Sequence, residues 1–118
     1  MRTGEPSLIL IVEDDAGIRG GMRRLLRSLG FRVIEAADGE AAHELAARAD
    51  GLRAVIADAE LPTLDDLLRR FATDDSLRDV PLVIVNGEIK MLDPPGGAKT
   101  LPDFESFAEF LYEHDGRG

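Results

Sequence analysis

Hydrophobic and polar positions alternate between two rhythms along this chain. Ser7–Glu13 is a near-continuous apolar run, LILIV between a Ser and a Glu, the pattern of a strand buried on both faces of a parallel sheet. Ile18, Met22, Leu25, Leu26 and Leu29 follow at helical spacing and predict one face of a helix. Gly30 suits the C-terminal cap of that helix, while Gly20 and Gly21 weaken it by about 1 kcal/mol each relative to Ala. Phe31–Ala36 predicts a second strand. Asp38 can cap a second helix whose inner stripe is Ala42, Leu45, Ala46 and Ala49. Arg53–Asp58 predicts a third strand, LDDLLRRF a short helix, and Val80–Asn86 a fourth strand with Pro81 at its tolerant start. GEIKMLDPPGG shows no apolar period, and Pro94 and Pro95 forbid a helix there, so a loop or a single turn is expected. A short fifth strand is expected near Ala98–Leu101. A last helix begins around Pro102, with Phe104, Phe107, Ala108 and Leu111 inside. Strands alternating with helices predict right-handed βαβ units. The expected fold is α/β, a doubly wound five-stranded parallel sheet in a three-layer sandwich, with its fourth helix shortened or missing.

Composition narrows the classes. A chain of 118 residues is expected to be one domain, with a core over about 7–113 and a flexible tail at 114–118. The formal net charge of −9 argues against direct nucleic-acid binding. Without cysteine there is neither a disulfide framework nor a thiolate metal site. Leu8–Val12 is far too short to cross a membrane and MRTGEP is no signal peptide, so a cytoplasmic protein with no membrane contact is expected.

The candidate chemistry sits at strand ends. Glu13 and Asp14 close the first strand and Asp58 closes the third, and in a parallel sheet such ends share one edge. If those strands are neighbours, the carboxylates converge, and like charges that close stay ionised only with a cation among them. An oxygen-preferring divalent ion suits this, and Mg²⁺ favours sites with few protein ligands and several waters. A nucleophilic carboxylate beside Mg²⁺ is suited to accepting a phosphoryl group.

At these residues the chain resembles the receiver domains of two-component response regulators. LILIVEDDAGIRGGMRRLL is similar to the first strand, acidic pair and helix of that family. GFRVIEAADGEAAHEL is similar to its second βα unit, and AVIADAELPTLDD to the strand and turn around the phosphorylated Asp. The resemblance runs from about Leu8 to Val85 and more loosely to Leu111. It implies a flavodoxin-like fold and a phosphoacceptor at Asp58. It also implies Mg²⁺ held by Glu13, Asp14, Asp58 and the backbone carbonyl of Glu60. Asp15 would lie just beyond the pair, facing solvent near a helix start. The implied phosphodonor is a histidine kinase or a histidine phosphotransfer protein, with an unknown downstream protein as target. Such a domain is a signalling module and not a dedicated enzyme.

The chain departs from the family pattern in its last third. Asn86 and Gly87 stand where Thr or Ser and then Ala are usual. In AKTLP, either Lys99 is the phosphoryl-contacting lysine or Leu101 has replaced it. Lys99 is favoured, because a chain with twelve Arg and two Lys would place a Lys for its compact charge. Asp65-Asp66 replaces an Asp-Gly, so a φ > 0 position there either carries strain or has shifted. Arg19, Arg23 and Arg27 form a basic stripe that is either a solvated, ion-paired face or a docking face for the phosphodonor. Phe110 and Tyr112 fall off the inner face of the last helix and mark a possible partner or homodimer surface. His43 is expected to be exposed and His114 to lie in the tail, both without chemistry. The favoured reading is a phosphoacceptor. A pseudo-receiver serving as a binding or dimerisation module is second, and a small aspartyl-phosphate hydrolase is a distant third.

Overall fold

The computed structural model describes residues 7–86, 89–93, 97–101 and 103–115; side chains at 91–93, 97–99, 110 and 112–115 are left out of the description. Its elements run β1 (Leu8–Val12), α1 (Ala16–Ser28), β2 (Arg32–Ala36), α2 (Gly39–Arg48), β3 (Leu52–Asp58), α3 (Leu64–Thr73), β4 (Leu82–Val85), β5 (Ile89–Asp93), β6 (Gly97–Leu101) and α4 (Phe104–Asp115). They form one sheet in the order β2-β1-β3-β4-β5-β6. The first four are parallel, as the βαβ pattern dictates.

Every residue of β1 is buried, which explains the unbroken apolar run. Its side chains alternate between two cores. Ile9 and Ile11 join Ala54, Ile56, Val83, Leu26 of α1 and Phe107 and Leu111 of α4. Leu10 and Val12 join Val55, Ala57, Ala42 and Ala46 of α2, and Leu67 and Phe71 of α3. Helices therefore cover both faces, and the three-layer, doubly wound α/β sandwich is as expected.

The strand count is not. The sheet has six strands instead of five, because the segment expected as a loop or single turn contains β5. That strand pairs antiparallel with β4, and β6 pairs antiparallel with β5. The prolines bar a helix but do not bar a strand that ends at Asp93, before Pro94. Ile89 anchors it, packed into the first core opposite Val85. No helix intervenes between β4 and β6, so the expected loss of the fourth helix is real and a strand takes its place.

Local chemistry sets the helix ends. The Asp15 side chain accepts the Ile18 N–H and caps α1, and Asp38 accepts the Ala41 N–H and caps α2. Gly30 adopts φ 97° just after α1, a conformation that glycine adopts without penalty. Asp65 and Asp66 sit in the first turn of α3, and no described non-glycine residue has positive φ, so of the two alternatives strain is not the one seen at that pair. Asp66 instead pairs with Arg69 and Arg70. On α1 the inner face is rotated from the one expected: Leu26 is fully buried, whereas Ile18 and Leu25 are 53% and 41% exposed.

Candidate phosphoryl and metal site

The parallel register brings the acidic ends together. Val12 of β1 lies beside Ala57 of β3, so Glu13 and Asp58 follow at the same edge, with Val85 next to Asp58. The Glu13 N–H continues the ladder onto the Ala36 carbonyl at 3.0 Å, which holds its side chain inside the sheet edge. Glu13 is 1% exposed. Its Oε2 accepts the Asp15 N–H at 3.0 Å, and its buried Oε1 has no hydrogen-bond donor. Burial pushes its carboxyl pKa above the ordinary range; the Asp15 N–H offsets part of that, and the neighbouring Asp14 and Asp58 carboxyls push it further up. Asp58 is half-buried and its Oδ1 accepts the Glu60 N–H at 3.0 Å. Asp14, Asp15, Glu60 and Asn86 are exposed at the same edge.

A cavity of about 280 Å³ opens beside the pair, lined by Glu13, Asp58, Asn86, Ile18, Met22, Val85 and Phe104. The donor set fits a small hard cation. A buried carboxylate oxygen lacks any donor, two acidic neighbours face it, and all the nearby side-chain ligands are oxygens. Among the described residues no three His, Cys, Asp or Glu side chains stand together as a group that could hold a metal ion by themselves. A cation here would complete its shell with a backbone carbonyl and waters.

The basic stripe of α1 is drawn inward. Arg19 Nη1 donates to the Glu13 carbonyl at 2.6 Å, and its Nε faces Glu35 at 3.3 Å. Arg23 Nη1 bonds both oxygens of Glu35, at 3.1 and 2.9 Å. Only Arg27 of the three is exposed. The ion-paired alternative thus describes Arg19 and Arg23, with Glu35 of β2 as a partner that its strand position alone does not reveal.

The expected switch residues are dispersed. Asn86 reaches the cavity rim, but Gly87 lies outside the described residues. Lys99 is at the level of Met91 and Val83, two positions back from the row of Asp58, Val85, Ile89 and Leu101. With β5 inserted, the Lys99 backbone is about 10 Å across and about 7 Å back from Val85. The side chains of Phe110, Tyr112 and His114 lie outside the description. His43 departs from expectation: it is half-buried, its Nε2 lies 2.8 Å from Asp74 Oδ2, and its ring meets the edge of Phe71. The sequence reading also missed Phe104 as a cavity wall, since helical period marks it only as core.

A doubly wound sheet with an acidic cleft at its carboxyl edge defines a class of α/β domains that bind ligands there. Residues 9–93 match the model of the response regulator receiver domain, and the chain belongs to that family. It is 34% identical over 85 residues to chemotaxis protein CheY-3 of Vibrio cholerae, covering 70% of this chain and 65% of that protein, so the match spans just under two thirds of the relative. The receiver domain of the sensor histidine kinase PA1611 from Pseudomonas aeruginosa PAO1 superposes with a TM-score of 0.64 at 31% identity, covering 69% of this chain and 67% of that one; it has a magnesium ion coordinated in its active-site cleft. The receiver domain of the hybrid histidine kinase CckA covers 91% of this chain and 97% of its own, with a TM-score of 0.66 at 31% identity. Receiver domains are signalling modules of two-component systems. Among the described residues no helix is long and apolar enough to cross a membrane.

Proposed function

We propose that this chain is a single phosphoacceptor receiver domain, with a core over 7–113, that takes a phosphoryl group from a phosphohistidine onto Asp58 and signals through protein contacts. The observation that carries this reading is the buried, donorless Glu13 Oε1 beside Asp58 at the carboxyl edge of the sheet. Glu13, Asp14, Asp58 and the Glu60 carbonyl are the residues that would hold Mg²⁺. When bound, the ion neutralises charge on the transferring phosphoryl oxygens. The Asp58 carboxylate is the nucleophile: its free oxygen forms the new O–P bond as the N–P bond of the donor imidazole breaks, and the released nitrogen keeps the electron pair. The Glu60 N–H, bonded to Asp58 Oδ1, holds the carboxylate in one orientation. Asn86 at the rim supplies an amide N–H toward the phosphoryl group. A histidine kinase or a histidine phosphotransfer protein is the donor. A cytoplasmic setting suits such partners, and a homodimer on the last helix remains part of the proposal.

The insertion of β5 favours a second reading. It puts a strand between β4 and the strand bearing Lys99, which separates that lysine from the acidic edge. A pseudo-receiver that binds partners without phosphorylation would tolerate this. Intact-mass measurement after incubation with Mg²⁺ and phosphoramidate, with Asp58→Asn as control, distinguishes the two. The acceptor reading expects a phosphate adduct that is lost in Asp58→Asn. The absence of an adduct together with absent Mg²⁺ binding supports the pseudo-receiver.

A further inference from the structure

We propose that the cavity beside Asp58 receives a lysine side chain from a partner protein. Its ammonium would meet Glu13 Oε1 and Asp58, and its methylenes would lie between Ile18, Met22, Val85 and Phe104. The inference rests on the phosphoacceptor reading: the ammonium takes the oxygens that Mg²⁺ would otherwise hold, so the partner is one that docks on the metal-free, unphosphorylated acceptor.

Charge is the first argument. The cavity has two carboxylates and, among its described lining residues, no cation. One of those carboxylates is 1% exposed and has an oxygen with no donor. Arg19 of α1 is committed to Glu35 and the Glu13 carbonyl. Lys90 pairs in register with Ile84, which packs in the α2–α3 core, so Lys90 stands on the opposite face of the sheet from Val85 and Phe104. The Lys99 backbone is two strands from β4 and two positions back from the Asp58 row. Among the described residues none brings a complementary cation to the pair.

The walls are the second argument. A hydrated metal ion uses only the carboxylate floor and leaves four apolar residues facing water. A long aliphatic stem with a charged tip uses both surfaces, as lysine does wherever its stem lies on apolar ground. A volume of about 280 Å³ is at or below the usual range for small-molecule pockets, roughly 300–1,000 Å³, and suits one side chain better than a whole ligand.

The mouth decides between a free amine and a protein. Ile18 at the rim is 53% exposed, and Leu25, seven residues on, is 41% exposed, with half-buried Met22 between them. These positions share one face of α1 and extend the apolar lining out of the cavity. A small amine leaves that strip uncovered, whereas a protein segment presenting a lysine covers it. The net charge of −9 favours a basic partner as well.

The test uses the full ¹⁵N-labelled chain without Mg²⁺ or phosphodonor. Amide shifts are followed on titration with N-acetyl-lysine methylamide, its norleucine counterpart, or n-butylammonium. The lysine compound is expected to shift Glu13, Ile18 and Asn86 saturably, and the norleucine compound is not. Glu13→Gln, an isosteric change, is expected to abolish the response. The lysine compound is expected to bind about fivefold more tightly than n-butylammonium through contact with Ile18 at the mouth, an advantage that Ile18→Ser removes. Equal binding of lysine and norleucine compounds, or no binding of either, overturns the proposal; equal binding of lysine and butylammonium overturns the partner in favour of a free amine. The mass measurement on the same preparation separates the two readings. An adduct without lysine binding retires this inference alone, and lysine binding without an adduct retires the acceptor while keeping the docking cavity.

Discussion

Glu13 shows how one residue can serve a site at the expense of the fold. Its carboxylate is buried, has one oxygen without a donor, and faces two acidic neighbours. Glu13→Gln keeps the shape, removes the charge and can donate to Asp58. The metal-free variant is therefore expected to melt a few degrees higher, on the order of 1 kcal/mol. It should lose the stabilisation that Mg²⁺ confers on the parent chain, and thermal scans with and without Mg²⁺ check both outcomes. Asp74 has the opposite sign. Its pKa is held below the ordinary 3.8 by the Ser76 hydroxyl, then His43 and the Ser76 N–H. The stability this lends is present above about pH 4 and is lost as pH falls through the depressed folded value. His43→Ala is therefore expected to flatten the acid limb of a stability–pH profile measured by urea titration between pH 5 and 3. The histidine's position was not legible, because helical period places it beside the inner stripe of α2 and cannot show that the turn after α3 brings an Asp to meet it.

The elements that the sequence discloses are those whose period one core enforces. β1 is an unbroken apolar run, and β3 is one from Ala54 to Ala57, because both faces are buried there, and Asp15, Asp38 and Gly30 mark helix ends by their own chemistry. α1 is half legible: its spacing is right, but which arc of a helix faces the core is set by packing, and Ile18 and Leu25 stay outside. β5 is not legible, since IKMLD is one short strand with a buried anchor at Ile89 and no alternation long enough to declare itself. The acidic site was readable because two strand ends carry it; its apolar walls were not, since Met22 and Phe104 are read first as core. The junction of α2 and α3 shows another contact that no pattern predicts. A Cβ on Gly39 would stand 3.0 Å from the Leu67 backbone nitrogen and 3.2 Å from the Thr63 carbonyl oxygen, and the Gly39 N–H donates to Thr63 Oγ1 at 3.0 Å. Gly39→Ala is expected to destabilise the chain by about 1–3 kcal/mol through overpacking, read as a lower urea midpoint at unchanged slope. Phe107→Ala on α4, which empties a fully buried ring packed 6.0 Å from Phe31, should cost about 3–5 kcal/mol in the same assay.

At the scale of the whole molecule the two cores are unequal in reach. The first extends across the sheet to Ile89 and Leu101 under α4, whereas the second stops at Leu82 and Ile84, and no described residue of β5 or β6 joins it. The central strands β1 and β3 are covered on both sides. Hydrogen exchange is therefore expected to be slowest in β1 and β3 and markedly faster in β5 and β6, in mass-spectrometric measurements on the full chain. Uniform protection across the sheet would contradict this expectation. The same hairpin bears on how the chain folds. β4, β5 and β6 are consecutive neighbours joined by short connections, whereas β1, β2 and β3 meet only after whole helices have been laid down between them. Closing those short loops costs little entropy, so the last strands can zip in microseconds once they have something to zip onto. An isolated two-stranded hairpin does not persist alone, so it waits for β4, and β4 in turn waits for β3. The β5–β6 hairpin is thus a late, fast step whose rate reports on the parallel half of the sheet and hardly on its own sequence.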